Sequence, residues 1–320
     1  MDIEARGLSR AFNPPKFAHG RAHTPLPVAL MSGVATTFSL KRCGLRSSRL
    51  FPNYRQIMKF AFIGSGNMAT ALIGGLIKCG IQPSNILAIN PNDEARKRTE
   101  KAFGIATSAS AFPSLQRFDA NVLAVKPQIA KEIAAALTPN PSASQLVISI
   151  VAGTRGADLT RCLGGHPCIV RAMPNTPALI GMSATGLVAL GGIDIAAREL
   201  ASHVMGAVGQ VVSFDDESKV DAVTTVSGSG PAYTFYFIDA IQEAARLLGM
   251  DDKQARTLTV ATFTGTAQLA TQSPESVSVL RERVTSRGGT TAAALELFDS
   301  HDLKPQSCAA YSQLTNAQRK

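Results

Sequence analysis

The sequence predicts an α/β protein in which a doubly wound parallel sheet is followed by an all-helical domain. From residue 58 to about residue 223, short β-branched stretches alternate with helical stretches, an order that builds a parallel sheet covered by crossover helices. No strand pattern appears after about residue 215. The 320 residues, 45% of them hydrophobic, suffice for two packed domains. We therefore expect a sheet domain over residues 58–223 and a helical domain over residues 224–320.

Residues 1–57 differ in composition from the rest of the chain. Nine Lys and Arg against two acidic residues give this segment +7 of the net charge of +9, which leaves only +2 for the remainder. A basic stretch of this kind has the composition of an organelle transit peptide. The alternative is a dispensable or disordered extension with the true start at Met58, where a strand begins at once. The nearly neutral remainder argues against nucleic-acid binding.

Other features of the composition exclude further classes. No apolar run approaches the roughly 20 residues of a membrane-spanning helix, so we expect no membrane association. The five cysteines and five histidines show neither a CxxC pair nor metal-ligand spacing, so we expect no metal site and a reducing compartment. We therefore expect a cytoplasmic protein, unless residues 1–57 direct import into an organelle.

The first strand, residues 59–63, leads into the motif "GSGNMA" at residues 64–69, where a helix begins. Gly64 permits the tight turn, Gly66 lets a pyrophosphate approach the backbone, and Ala69 is small enough for close packing of helix on strand. The free N–H groups and the dipole of the first helical turn attract phosphate. The motif therefore predicts a Rossmann-type dinucleotide site at the start of this helix.

The second strand, residues 86–90, ends where such a fold reads the adenosine ribose. A carboxylate at this position would bind the 2′-hydroxyl of NAD, but this chain has Asn90 and Asn92, and a helix over residues 93–103 follows. Three basic residues lie close by: Arg96, Lys97 and Arg98. Because no carboxylate repels a 2′-phosphate, we predict NADPH as the coenzyme, with NADH as the alternative.

The remaining elements of the sheet continue the alternation. Strands at residues 120–127 and 145–153 each lead into a helix, and a strand at residues 168–177 ends in a loop that two prolines stiffen. Ligands of such sheets bind at the carboxyl ends of the strands. We therefore predict cofactor contacts at six residues there: Val125, Lys126, Pro127, Ala152, Gly153 and Asn175. The alternatives are an exposed lysine without a role at Lys126 and a simple turn at Asn175.

The helical domain is expected to share its core with a second subunit. The helix over about residues 231–250 follows the small residues of "SGSGPAY" and is apolar on most of its circumference, so it must be buried on several sides. Further helices are expected near residues 252–270, 275–283 and 290–300 and in the C-terminal tail. We predict an obligate homodimer.

Five motifs together resemble pyrroline-5-carboxylate reductase. They are "GSGNMA" at residues 64–69, "AVKP" at 124–127, "MPNTP" at 173–177, "SGSGPAY" at 227–233 and "VTSRGGTTAAALELFD" at 284–299. The likeness runs from about Met58 to the C-terminus. It implies the NAD(P)H-dependent reduction of 1-pyrroline-5-carboxylate to L-proline, the last step of proline biosynthesis. It also implies a Rossmann domain, a helical dimerisation domain and assembly of dimers, often into decamers.

The resemblance also implies the site residues. Carried over by position, the cofactor contacts fall on Ser65, Gly66, Asn67, Met68, Asn90, Asn92, Val125, Lys126 and Gly153. The substrate turn falls on Gly288, Gly289, Thr290 and Thr291, and the catalytic candidates are Thr291 and Ser286. Two positions depart from the family pattern: Arg287 replaces a frequent proline, and Ala111 replaces an asparagine that binds the cofactor in some members.

Reduction of a cyclic imine needs hydride delivery to the ring carbon while the nitrogen gains or keeps a proton. Solvent can protonate the imine, so the protein mainly positions its substrate, which is worth about 7–11 kcal/mol at ideal geometry. N–H groups at Gly288 and Gly289 would cradle the carboxylate, and Thr291 would hydrogen-bond the ring nitrogen. The alternative is that Ser286 and Thr291 merely cap a helix.

Two rival functions share the predicted fold. A β-hydroxyacid dehydrogenase has the same opening motif, but it carries a catalytic lysine on the long interdomain helix, and residues 231–250 contain no lysine. A non-catalytic dinucleotide-binding protein is the second rival, because a fold does not fix a function.

Overall fold

The computed structural model describes residues 57–110, 115–137 and 141–317, and the side chains up to residue 313. The predictions for the extension before residue 57 and for Ala111 lie outside these ranges. Within them, none of the helices combines the length and the hydropathy needed to span a bilayer.

The strands form one sheet in the order β3-β2-β1-β4-β5-β6-β7-β8. Neighbouring strands are parallel except β6 and β7, which are antiparallel. The strand order reverses between β1 and β4, as expected of a doubly wound sheet. The strands are β1 Phe60–Ile63, β2 Ile86–Ile89, β3 Ala106–Ser108, β4 Ala120–Leu123, β5 Leu146–Ser149, β6 Ile169–Met173, β7 Ser183–Ala189 and β8 Gly209–Phe214.

Helices cover both faces of the sheet. They are α1 Asn67–Lys78, α2 Asp93–Phe103, α3 Pro127–Ala136, α4 Gly156–Cys162 and α5 Ile195–Gly206. Successive residues of a strand point to opposite faces, so Phe60 and Phe62 pack with apolar side chains of α1 and α5, whereas Ala61 and Ile63 pack with those of α3 and α4. All four residues of β1 are buried, as a central parallel strand requires.

The predicted strands are longer than those observed. The strand expected at residues 120–127 ends at Leu123 because Pro127 begins α3, with Lys126 as its extended N-cap. The other two long strands end at Ser149 and Met173. The elements β3, β7, α5 and β8 were not predicted, since a strand such as "SATGLVA" carries few β-branched residues. The prediction of α2 is confirmed at both ends.

The helical domain starts with α6 Lys219–Val223, which continues through a π-turn, Thr224–Gly228, into α7 Gly230–Leu247. In this turn the Ser229 N–H donates to the Thr224 carbonyl, the i to i−5 bond of a π-helix. The remaining helices are α8 Asp252–Gln272, α9 Val277–Arg283, α10 Thr290–Ser300 and α11 Leu303–Ala317. Helix α8 packs along α7.

The apolar side chains of α7 are exposed in the single chain. Tyr236 and Leu247 are 73% and 82% exposed, and Phe235 and Leu248 are exposed as well. None of the residues of α7 is buried. An exposed apolar patch of this extent marks an interaction surface. The helix predicted to be buried on several sides is therefore not covered by the described residues.

Candidate active site at the carboxyl edge of the sheet

The turn after β1 brings three strand ends together. Gly64 has a φ of +104°, and a Cβ there would lie 2.3 Å from the Ala124 carbonyl oxygen at the end of β4. The Gly64 N–H donates to the Ile89 carbonyl at the end of β2 over 2.8 Å. Only glycine fits a left-handed conformation with so close a neighbour. The ends of β1, β2 and β4 therefore meet where the strand order reverses, as "GSGNMA" predicts.

The first turn of α1 offers an open anion site. Gly66 is the N-cap, and in the described part of the chain no side chain caps this helix or adds an acidic group to its first turn. A Cβ built on Gly66 meets no atom within 4 Å. The N–H groups of Asn67, Met68 and Ala69 precede the first intrahelical donor, Thr70, whose N–H donates to the Gly66 carbonyl. Uncapped donors, a positive dipole end and free space fit a pyrophosphate.

Three of the predicted cofactor contacts are joined by hydrogen bonds. The Asn90 amide donates to the Ser65 hydroxyl over 2.9 Å, and its oxygen accepts from the Asn92 N–H over 3.0 Å. The Asn92 oxygen in turn accepts from the Ala95 N–H over 2.8 Å and so caps α2. These hydrogen bonds of Asn90 and Asn92 order the loop after β2, and the bond to Ser65 connects it to the loop after β1.

A charge cluster, which we call the Asp93 cluster, lies beside this loop and consists of Asp93, Arg96 and Lys97. Arg96 Nη1 donates to the carbonyls of Asn90 and Pro91 over 2.8 and 3.0 Å, and its Nη2 donates to Asp93 Oδ1 over 2.7 Å. Lys97 Nζ lies 2.7 Å from Asp93 Oδ2. The hydrogen bond from Lys97 holds the pKa of Asp93 below its ordinary value, and the carboxylate raises the pKa of Lys97.

The loops after β4 and β5 lie at the same edge of the sheet. Leu123 and Ser149 are paired in the register of these two parallel strands, so the residues that follow them are neighbours. Val125 is half-buried and Lys126 is exposed in the first of these loops. In the second, Gly153 has a φ of +70° and a Cβ there would meet nothing within 4 Å, which leaves space for a ligand. Pro127 and Ala152 flank these positions.

Asn175 joins three elements at the end of β6. Its oxygen accepts from the Ala184 N–H over 2.9 Å and from the Ser183 hydroxyl over 3.2 Å, both on β7. Its amide donates to the Ser227 carbonyl of the π-turn over 3.0 Å. Asn175 is buried, so its predicted role as a cofactor contact competes with this structural one.

A groove of about 400 Å³ lies between the loop after β6 and the start of α7. Because β6 is parallel to β5, this groove lies at the same edge of the sheet as the loops described above. Its lining includes Asn175, Pro177, Ser227, Pro231, Phe235 and Tyr311. The small residues of "SGSGPAY" leave this space open. The predicted close approach of backbone to a ligand at this motif is thus sterically allowed.

The turn before α10 is open to solvent in the single chain. Gly288 has a φ of +73°, and the Gly289 N–H donates to the Ser286 carbonyl over 3.0 Å. Gly289 is the N-cap, and no side chain of the described residues caps this helix. Ser286 and Thr291 are exposed, as is Arg287. The alternative that the two hydroxyls cap the helix is therefore wrong, and the first-turn N–H groups are free to bind an anion.

A buried ion pair links the sheet to the start of the helical domain, and the sequence reasoning missed it. Arg171 of β6 pairs with Glu217, and the side chain of this arginine is 6% exposed. The Glu217 carboxylate also accepts from the Gly156 N–H at the start of α4 over 2.6 Å. The charged residue inside the apolar strand "IVRAM" is the sequence signal that points to such a partner.

Two family models match the chain. The model described as pyrroline-5-carboxylate reductase dimerisation matches residues 217–320. The model described as NADP oxidoreductase, coenzyme F420-dependent, matches residues 59–153. The chain is also 42% identical to a pyrroline-5-carboxylate reductase of Pseudomonas aeruginosa, over 76% of this chain and 89% of that protein.

Solved structures of similar proteins share the fold. A pyrroline-5-carboxylate reductase of Coxiella burnetii is 35% identical with a TM-score of 0.77, over 82% of this chain and 98% of the other. A pyrroline carboxylate reductase of Plasmodium falciparum, solved with NADP bound, is 26% identical with a TM-score of 0.74, over 82% and 97% of the two chains. The fold predicted from the sequence is confirmed, and the chain belongs to the pyrroline-5-carboxylate reductase family.

Proposed function

We propose that this protein reduces 1-pyrroline-5-carboxylate to L-proline with NADPH, and with NADH as the alternative coenzyme. The observation that carries the proposal is the uncapped first turn of α1 at the strand-order reversal, in a chain of this family. A reduced nicotinamide coenzyme, when bound, supplies the hydride. The names of the relatives and the NADP in the Plasmodium falciparum structure support both the substrate and the coenzyme.

The coenzyme would be held mainly by backbone. Gly64 and Gly66 keep the turn open, and the N–H groups of α1 would bind the pyrophosphate. Asn90 and Asn92 would bind the adenosine ribose, with Ser65 positioned by its hydrogen bond from Asn90. The loops after β4, β5 and β6 would border the coenzyme through Val125, Lys126, Pro127, Ala152, Gly153 and Asn175.

The substrate would be held by the turn before α10. The N–H groups at Gly288 and Thr290, on either side of Gly289, would bind the carboxylate, aided by the positive end of the helix dipole. The Thr291 hydroxyl would then accept a hydrogen bond from the protonated ring nitrogen and fix the orientation of the ring. Ser286 offers a second hydroxyl in the same turn. No protein acid is needed, because solvent supplies the proton of the iminium form.

We also propose that α10 lies within a dimer interface. Its side chains Leu297 and Phe298 are exposed in the single chain, as are the apolar residues of α7. Covering this surface removes apolar area from water, which is the main driving force of association. A substrate turn at the start of α10 would then be completed only in the dimer. The match to a dimerisation family supports this arrangement.

We also propose a domain boundary between residues 223 and 224, assembly of dimers into decamers and a cytoplasmic location. The division between a domain of residues 58–223 and one of residues 224–320 falls within the continuous helical segment that begins with α6. Assembly of dimers into decamers is expected from the family resemblance, and light scattering of the full chain tests it. A monomeric mass would refute even the dimer. The cytoplasmic location is tested by fractionation of the source cells.

The direct test is a coenzyme-oxidation assay on the purified full chain. We expect NADPH oxidation that depends on 1-pyrroline-5-carboxylate and yields one proline per NADPH. A panel of β-hydroxyacids with NADP should give no reduction of the coenzyme. Activity with a hydroxyacid would support the dehydrogenase rival, and coenzyme binding without any turnover would support the non-catalytic one.

A further inference from the structure

Asp93 has no part in the proposed chemistry, yet it occupies the centre of the charge cluster beside the ribose end of the site. We propose that Asp93 sets the coenzyme preference by occupying the two cations, Arg96 and Lys97, that would otherwise bind a 2′-phosphate. The preference for NADPH over NADH is therefore weaker than it would be if Arg96 and Lys97 had no carboxylate beside them. The inference rests on the proposed function only in that a nicotinamide dinucleotide binds at the end of β2.

Arg96 is a fixed cation under the loop after β2. Its side chain is 19% exposed. Hydrogen bonds to the carbonyls of Asn90 and Pro91 hold one end of the guanidinium against the loop that would carry the ribose. The other end points its Nη2 at Asp93. The charge of Arg96 therefore stays at this place whether or not a ligand is bound.

Lys97 is an exposed cation in the same cluster. Its side chain is 73% exposed, and its ammonium bonds the second oxygen of Asp93. One carboxylate thus engages both cations, each through a different oxygen. A phosphate that recruits Lys97 must first displace it from Asp93. The phosphate also meets the negative charge of Asp93 itself, a nearby carboxylate that the prediction of NADPH from the sequence did not take into account. Both effects oppose a 2′-phosphate and leave a 2′-hydroxyl nearly unaffected.

The size of the effect follows from the exposure of the cluster. Asp93 and Lys97 lie in water, where charge interactions are weak and screened by salt. For a doubly charged phosphate, removal of one nearby negative charge in a high-dielectric medium changes affinity by about three- to tenfold. The expected change is therefore a shift in preference, not a reversal of it.

If Asp93 instead bound the ribose hydroxyl directly, its removal would weaken the binding of NADH. In sites specific for NAD, an acidic residue accepts hydrogen bonds from the ribose hydroxyl. Here both oxygens of Asp93 already accept from Arg96 and Lys97. Loss of the carboxylate should therefore leave NADH binding almost unchanged, whereas direct reading of the hydroxyl predicts that NADH binding weakens.

The test is a set of dissociation constants measured by calorimetry on the full chain for NADPH, NADH and adenosine 2′,5′-bisphosphate. In Asp93→Asn we expect NADPH and the bisphosphate to bind about three- to tenfold more tightly, and NADH to change by less than about twofold. Glu94→Gln is the matched control. It removes the same charge from the next residue of the same helical turn, and Glu94 is not among the partners of Arg96 or Lys97 in the described residues.

A second variant keeps the inference testable if Asp93→Asn folds poorly. Lys97→Met should weaken NADPH and the bisphosphate while leaving NADH unchanged. The inference would be overturned if Asp93→Asn and Glu94→Gln changed the dissociation constant of NADPH equally. Weaker binding of NADH in Asp93→Asn would overturn it as well. Wild-type protein that binds neither coenzyme would instead contradict the proposed function. Binding of both without reduction of 1-pyrroline-5-carboxylate would contradict only the proposed reaction.

Discussion

Glu217 is the residue whose removal should destabilise the fold most clearly. Its carboxylate pairs with Arg171 on β6 and accepts from the Gly156 N–H of α4, so it ties two parts of the sheet domain to the start of α6. Replacement by alanine leaves the buried guanidinium without its counter-charge and one N–H of α4 without its acceptor. The sheet domain and the helical domain should both be affected because Glu217 lies at their junction.

The cost can be estimated from the burial of the two partners. Breaking a buried ion pair costs about 3–5 kcal/mol, and the lower end applies because the Glu217 side chain is 33% exposed. For a domain of this size, each kcal/mol lowers the melting temperature by about 2–4 °C, so Glu217→Ala should melt roughly 6–12 °C lower. Thermal unfolding followed by circular dichroism measures this. Protein concentration must be held fixed because a dimer is expected.

Two further variants separate the buried pair from general charge effects. Asp215→Ala removes the same charge two residues earlier, where the side chain is fully exposed and lies 3.7 Å from Arg198, so no measurable shift is expected. Glu217→Gln keeps one acceptor oxygen, and both Arg171 and Gly156 donate to a single oxygen of Glu217, so this variant should lose less stability than the alanine variant. Equal melting temperatures for Glu217→Ala and Asp215→Ala would refute the reasoning.

Three more predictions concern the site and the core. Gly64→Ala should lower thermal stability, because its Cβ would lie 2.3 Å from the Ala124 carbonyl oxygen. Gly66→Ala should melt like the wild type, because a Cβ there meets no atom within 4 Å. This second variant should nevertheless bind NADPH at least about tenfold more weakly in a fluorescence titration. Asn121 is completely buried, and neither polar atom of its side chain has a partner among the described residues. Asn121→Val should therefore raise the free energy of unfolding, measured in urea, by about 1–3 kcal/mol. A lower free energy of unfolding in this variant would mean that a buried group satisfies the amide. Thr291→Ala should lower kcat at least about tenfold at unchanged melting temperature and NADPH affinity, with partial rescue in Thr291→Ser; unchanged kcat would remove Thr291 from the site.

Local chemistry made much of the fold predictable from the sequence. The turn at "GSGNMA" was predicted because glycines at fixed offsets after an apolar strand have one main structural use. Helix α2 has the ends that were predicted, and in the structure Asn92 caps its start and Gly104, with a φ of +65°, ends it. Strands β7 and β8 were missed because their pairing depends on distant neighbours more than on their own composition.

The parts of the site that were missed depend on tertiary contacts. Asp93 was missed because its significance comes from Arg96 and Lys97, which one turn of helix brings onto its two oxygens. Asn175 was predicted as a ligand contact, but its buried bonds to β7 and the π-turn arise only in the fold. Thr291 is exposed in the described residues, and the proposed dimer interface at α10 would supply the missing surroundings of this residue.

The central claim is that this fold delivers a hydride from the coenzyme to the imine carbon of 1-pyrroline-5-carboxylate. The most direct measurement uses NADPH deuterated at the transferred position of the nicotinamide and follows the product by mass spectrometry and NMR. We predict L-proline with one deuterium at the ring carbon adjacent to nitrogen and remote from the carboxylate. Proline without deuterium, or NADPH oxidation without proline, would contradict the account.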